Sequence, residues 1–217
     1  MERRATVRQW PRSTVPALIS QAGISLKPLV GAVLVDMPVQ RYGGTAIALH
    51  WLTAVLLGSG FALGLYMVSL QFSPQKLTYY SYHKWIGVTV FSLAWVRALW
   101  RMTHQPPPLP SSLPRWQVAM SGAIHLLLYG LLFAAPLSGW LYSSSAGVPT
   151  VPFGIAVLQL PDLLSKDREL AVTLKFVHMA LTYSLAALVC VHLTAALKHL
   201  LIDRDGIMSR MLPGKTS

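Results

Sequence analysis

Charge is scarce in this chain: Asp, Glu, Lys and Arg make up 12% of its 217 residues, against 53% hydrophobic ones. Soluble domains carry about 25% charged residues. The shortage, with a mean hydropathy of +0.50, excludes an ordinary water-exposed surface and points to a bilayer. Acidic side chains are the scarcest. All seven of them, Glu2, Asp36, Asp162, Asp167, Glu169, Asp203 and Asp205, fall outside the long apolar runs. Ion-coupled transporters commonly place Asp or Glu inside the membrane, so their absence argues against that class. Cysteine is nearly missing as well. Cys190 stands alone, which leaves no disulfide to form within the chain, and there is no C-x-x-C-H run for covalent haem attachment.

What is present is apolar length. Hydrophobic runs cover residues 46–70, 85–100, 116–142 and 171–202, and about 20 such residues in a helix cross the ~30 Å hydrocarbon core. These runs predict an all-α membrane protein, an up-and-down bundle of four transmembrane helices. The second run is the shortest, but Tyr79, Tyr80 and Tyr82 stand before it as interfacial aromatics, so its helix is expected to begin near them. The net charge of +11 would suggest nucleic acid in a soluble protein. Its placement says otherwise. Arg3, Arg4, Arg8, Arg12 and Arg41 precede the first run, Arg97, Arg101 and Arg115 flank the central loop, and Lys198, Arg204, Arg210 and Lys215 follow the fourth. The positive-inside rule then places both termini and the central loop in the cytoplasm.

Residues 1–36 mix a basic start with a moderately apolar stretch broken by Pro16, Lys27 and Pro28. They read as a poorly structured or interfacial extension, and Met37 offers an alternative translation start. Residues 37–217 form the bundle domain. Consecutive prolines make residues 105–114 a stiff non-helical connector. The loop over residues 143–170 mixes Gly, Pro and Ser with Val151, Phe153 and Leu158, as a segment folded over the bundle end would.

Histidine is the ionisable residue that the apolar runs keep. His178 and His192 are 14 residues apart, which on a helix is about 21 Å of rise with roughly 40° of net rotation, so one face presents imidazole at two depths. Partners at matching depth exist: His83 at the outer start of the second span and His50 just inside the first. Pairing by depth gives His83 with His178 and His50 with His192. Two neutral imidazoles leave haem iron six-coordinate, a state suited to electron transfer, whereas a zinc site would gather its ligands into one cluster. A single such histidine is as readily a bundle hydrogen-bonding group. His125 shares the depth of His50 and competes with it as the inner ligand; otherwise it contacts a haem propionate or a quinone, or is a polar bundle residue. His199, two turns beyond His192, suits a quinone-head hydrogen bond or simple interface anchoring. Arg97 and Arg101 suit propionates, lipid phosphate or a quinone, though positive-inside anchoring alone explains them. Small residues beside the histidines, Gly87, Gly122 and Ala187, would let a flat macrocycle approach, or are ordinary packing positions.

With these residues in view, the chain resembles the bacterial four-helix cytochrome b561 family over residues 37–213. The carriers are RYGGTAIALHW around His50, YHKWIG around His83, VRALWR before the proline loop, HLLLYGLLFAAPLSGW from His125 and HMALTYSLAALVCVHLTAALKH from His178. The resemblance implies a respiratory-chain cytochrome of the bacterial inner membrane with two b haems per chain, ligated by His50 with His192 and by His83 with His178. Some family members oxidise superoxide and pass the electron to ubiquinone, with the histidine at the position of His199 near the quinone. Partners expected on this footing are the lipid bilayer, quinone, and a superoxide donor or a dehydrogenase; nucleic acid is not among them. The alternatives are a haem-binding anchor for a dehydrogenase or hydrogenase subunit, and, from another class, a haem-free transporter or interaction protein.

Overall fold

The computed structural model describes residues 40–110 and 113–214. The expected extension over residues 1–36, and Met37, lie outside them. Among the described residues there are four long helices and no strand: α1 (Gly44–Ser69), α2 (Pro74–Thr103), α3 (Arg115–Ser145) and α4 (Arg168–Lys198).

Their ends follow from local chemistry. Ser73 caps α2 by accepting a hydrogen bond from the Lys76 amide at 3.2 Å, and Pro74 at the first helical position gives up an amide that had no helical partner. Helix α2 thus begins five residues before the tyrosines expected to mark its start. It ends at Thr103, just before the proline run. Asp167 caps α4, its Oδ1 accepting from the amides of Glu169 at 2.9 Å and Leu170 at 3.0 Å. Beyond Lys198 the backbone widens into a π turn over His199–Asp203, and Arg204 adopts a left-handed conformation at φ 52°. Pro136 removes one amide from the interior of α3.

Three helical segments, Gly44–Ser69, Arg115–Ser145 and Arg168–Asp203, are long and apolar enough to cross a membrane. Helix α2 matches them in length at 30 residues but not in hydropathy, because Lys76, His83, Lys84, Arg97 and Arg101 interrupt it. Leu126 is 74% exposed and Val55 and Phe176 63% each. Helices this apolar around their whole circumference require a non-aqueous surround.

Close packing joins α3 to α4, α1 to α2, and α2 to α3. Val90 and Ala94 of α2 and Leu132 of α3 form a small buried core, flanked by Leu56, Leu57, Ile86 and Phe133. Neither α1 nor α2 packs against α4 with comparable closeness among the described residues. The histidine pairs lie across those two looser junctions.

The segments before α1, after α2 and after α4 meet at one end, here called proximal. Arg210, 3% exposed, donates from Nε to the Gln40 carbonyl at 2.9 Å and from one terminal nitrogen to the carbonyls of Pro107 at 2.8 Å and Pro108 at 2.9 Å. Its guanidinium also lies 5.7 Å from the Tyr42 ring centre. At the distal end the α3–α4 loop folds onto the helices. Trp85 donates to Val151 O at 2.8 Å, Trp140 to Pro161 O at 3.0 Å, and Lys84 to the carbonyls of Val148 and Pro149, each at 3.2 Å.

Truncating Leu132 to Ala opens a cavity where three helices depend on few contacts. It should cost about 2–5 kcal/mol, read as a lowered unfolding midpoint in detergent, whereas Leu126→Ala on the exposed face should leave the midpoint unchanged.

Candidate functional site

Five histidines gather into two layers. In the distal layer the rings of His83 on α2 and His178 on α4 have centres 6.2 Å apart at an interplanar angle of 82°. In the proximal layer His50 on α1 and His192 on α4 are 6.3 Å apart at 67°. His125 on α3 is also in the proximal layer, its ring centre 5.4 Å from that of His192.

These spacings bear on what the pairs can hold. Two imidazoles on opposite sides of one metal ion, each bound at roughly 2 Å through a nitrogen about 1.1 Å from its ring centre, have centres about 6.2 Å apart. His83 with His178 and His50 with His192 both stand at that separation. His125 and His192 are closer than it, a distance suited to an edge contact between rings.

The distal rings are also keyed. Nδ1 of His83 lies 3.0 Å from the Gly60 carbonyl oxygen of α1, and Nδ1 of His178 lies 3.0 Å from the Ala135 carbonyl oxygen of α3. A carbonyl can only accept, so Nδ1 carries the hydrogen in each ring and Nε2 keeps its lone pair for a metal. Buried Ser138 donates to the same Ala135 oxygen at 2.7 Å and sits 3.1 Å from His178 Nδ1. Two glycines make these approaches possible. A methyl added at Gly64 would stand 3.3 Å from His83 Cε1, and one at Gly139 would stand 3.0 Å from His178 Cε1 and 3.2 Å from its Nδ1. A methyl at Gly87 or Gly122 would meet nothing within 4 Å, so the glycines that admit the rings are Gly64 and Gly139. Their signal in the sequence was only that of small residues in a membrane helix, and the serine and the two carbonyls left no signal at all.

The proximal layer is built differently. Among the described residues neither His50 nor His192 makes a hydrogen bond, and ring contacts surround them instead. The indole of Trp51 lies 5.5 Å from the His50 ring at 80°, and Trp51 Nε1 donates to the Met211 carbonyl at 2.7 Å. His125 holds its own ring by Nδ1 at 2.7 Å from the Ser121 carbonyl oxygen, one turn back on the same helix. Arg97 lies within electrostatic reach of His50, His125 and His192, with its guanidinium 5.5 Å from the Tyr129 ring centre. Arg101 lines a neighbouring cleft of about 440 Å³ with Ala98, Met102, Tyr129 and Phe133. Among the described residues neither arginine forms a salt bridge, so both guanidinium groups are open to an anionic group of a ligand.

His199 opens the π turn that follows α4. Its Nδ1 lies 2.6 Å from Asp205 Oδ2 and 3.3 Å from Asp203 Oδ2, while Lys198 pairs with Asp203 at 2.5 Å. Two of the carboxylates that stay out of the apolar runs, Asp203 and Asp205, thus gather around His199. Distance along the chain, read alone, did not reveal this cluster.

Apolar helices with exposed faces and histidines paired in two layers follow the plan of a membrane b-type cytochrome. The chain belongs to the prokaryotic cytochrome b561 family, whose model matches residues 41–214. These are membrane haem proteins of electron transfer. The chain is 38% identical over 186 residues to cytochrome b561 homolog 2 of Escherichia coli (strain K12), covering 82% of this chain and 94% of that protein. It is 25% identical over 184 residues to the probable superoxide oxidase CybB of Yersinia pestis, covering 81% and 98%. Cytochrome b561 homolog 1 of Escherichia coli (strain K12) is 25% identical over 179 residues, with the same coverage.

Because a methyl at position 139 would crowd His178 at 3.0–3.2 Å, Gly139→Ala should displace that ring by a few tenths of an ångström. Purified Gly139→Ala protein should hold less haem than the wild type by absorbance, while Gly122→Ala should retain the wild-type content.

Proposed function

We propose that this protein is a dihaem cytochrome of the bacterial inner membrane that carries electrons from a donor at the distal face to quinone at the proximal face. The observation that carries the reading is the pair of ring separations near 6.2 Å in two layers. Bound haem supplies the one-electron chemistry. His83 and His178 hold the distal group, and His50 and His192 hold the proximal one. On this reading His125 supports His192 by ring contact, and its shorter ring separation of 5.4 Å favours His50 as the opposed ligand. Arg97 and Arg101 receive carboxylates of the bound group or the head of an acceptor.

All four helices span the bilayer on this reading. Helix α2 crosses with its lysines toward the distal interface and its arginines toward the proximal one, and the proximal end, with both termini, faces the cytoplasm under the positive-inside rule. His199 directs Nδ1 to Asp205, so in its doubly protonated form Nε2–H donates a hydrogen bond to a quinone oxygen and passes its proton there as the electrons arrive. At the distal end Lys166, Arg168 and Lys175 line a cavity of about 370 Å³ with Tyr142. Cations grouped in this way draw in a small anionic donor. Superoxide is such an anion, and the name of the Yersinia relative supports choosing it.

Purified protein should contain two b haems per chain by pyridine haemochrome assay. His83→Ala and His178→Ala should each remove one and the same haem, His50→Ala and His192→Ala the other, and His125→Ala neither. Loss of a haem in His125→Ala with retention in His50→Ala would reverse the proximal assignment. Dithionite-reduced protein mixed with a short-chain ubiquinone should reoxidise rapidly. His199→Ala should slow that step roughly a hundredfold with both haems in place, and an unchanged rate would remove His199 from the acceptor site.

A further inference from the structure

The two layers solve one problem in different ways. A metal-bound histidine needs something to set the plane of its ring, and hydrogen bonding at the other nitrogen usually does so. His83 and His178 have that bond, to Gly60 and Ala135. His50 has none among the described residues. What touches its ring instead is Trp51, at 5.5 Å and nearly perpendicular.

Trp51 is itself held from outside the helix. Its indole N–H donates to the Met211 carbonyl at 2.7 Å, a bond that spans 160 residues of chain. Met211 lies in a short 3-10 turn, Met208–Met211, and that turn is tied down on several sides. Arg210 reaches the carbonyls of Gln40, Pro107 and Pro108. The Tyr42 amide donates to the Arg210 carbonyl at 3.2 Å, and Arg41 donates to the Leu212 carbonyl. A guanidinium 3% exposed with neutral carbonyls as hydrogen-bond acceptors and no salt bridge among the described residues is costly to bury. Arg210 sits at the one point where the segments before α1, after α2 and after α4 converge. Its bonds fix the height of the Met211 carbonyl over Trp51.

We infer that the segment after α4, locked by Arg210, is part of the proximal redox site, with Trp51 as the positioning residue that sets the ring orientation of His50. The inference rests on the reading of His50 and His192 as a haem ligand pair. The route is continuous: Arg210 holds the turn, Met211 holds the indole, and the indole meets the imidazole. Axial ring orientation tunes the iron to which the ring is bound, so displacement of the turn changes the electronic state of the proximal haem while the distal haem, keyed by its own carbonyls, is untouched. The distal histidines thus serve as an internal control within the same molecule.

The experiment compares the purified holoprotein with Trp51→Phe, which keeps an aromatic ring but removes the N–H, and with Arg210→Met. Haem content is counted by pyridine haemochrome. The two ferric low-spin signals are resolved by low-temperature electron paramagnetic resonance and the two midpoints by potentiometric titration, with the proximal component identified as the one lost in His192→Ala. Both variants are expected to keep two haems and to shift the proximal signal and midpoint while the distal ones stay put. Arg210→Lys, which keeps the charge but cannot reach three carbonyls, is expected to shift the proximal signal as Arg210→Met does. Wild-type values for both components in Trp51→Phe overturn the inference, and so does an equal disturbance of both haems, which is what a merely structural strut would produce. If Arg210→Met fails to accumulate, Trp51→Phe decides alone. Wild-type protein with a single haem that survives His192→Ala would instead refute the ligand assignment on which the inference stands.

Discussion

An imidazole has two nitrogens, and in the distal pair each ring has committed one of them to a backbone carbonyl. Much of the bundle's local architecture serves that commitment. For His83 to reach the Gly60 carbonyl across the α1–α2 interface, α1 must offer a surface without a side chain beside the ring, which Gly64 provides. For His178 to reach Ala135, α3 must offer the same at Gly139, and Ser138 must share the carbonyl without blocking it. Once Nδ1 is fixed on both sides, the remaining nitrogens are the ones available between α2 and α4, where the helices do not close on one another. The tight junctions and the loose ones are therefore complementary. Helices α1 with α2, α2 with α3, and α3 with α4 pack closely enough to hold the rings, while α4 stays apart from α1 and α2, the two junctions across which the histidine pairs face each other.

Much of this was legible in the sequence, and for definite reasons. Position along a helix converts directly to depth and azimuth, so residues 178 and 192 could be placed on one face, and residues 50 and 83 opposite them, from periodicity alone. The structure brings the same residues together. His125 was harder, because depth does not distinguish two rings in one layer; in three dimensions its ring stands closer to His192 than that of His50 does. Helix α2 shows a different limit. Its apolar run starts at Trp85, yet Ser73 and Pro74 start the helix eleven residues earlier, since capping chemistry is indifferent to hydropathy. The carboxylates around His199 lay beyond reach because they depend on a π turn and a left-handed residue, and no composition signal marks either.

The segment after α4 teaches a related lesson. As sequence it is a short basic tail, explained fully by the preference for positive charge on the cytoplasmic side. In three dimensions Arg210 is withdrawn from that role. It is buried among carbonyls and joins three stretches of chain far apart in sequence, while Arg97 and Arg101 form no salt bridge among the described residues. Positive charge of one sign and one location thus divides into architecture and binding, a division that depends on long-range contacts and so escapes any count of basic residues.

The weak hydropathy of α2 has a consequence for how the molecule is made. A helix carrying Lys76, His83, Lys84, Arg97 and Arg101 gains little by entering lipid alone. Beside α1 its histidine finds the Gly60 carbonyl, its Ile86 and Val90 find apolar neighbours, and its cations are left near the two ends. On the proposed four-span reading, α2 would partition with α1 as a hairpin rather than by itself, with the apolar α1 carrying in the helix that follows it. On that reading the four-residue link between Ser69 and Pro74 keeps the two helices together as they enter lipid, and lengthening it would separate the partners in time as well as in space.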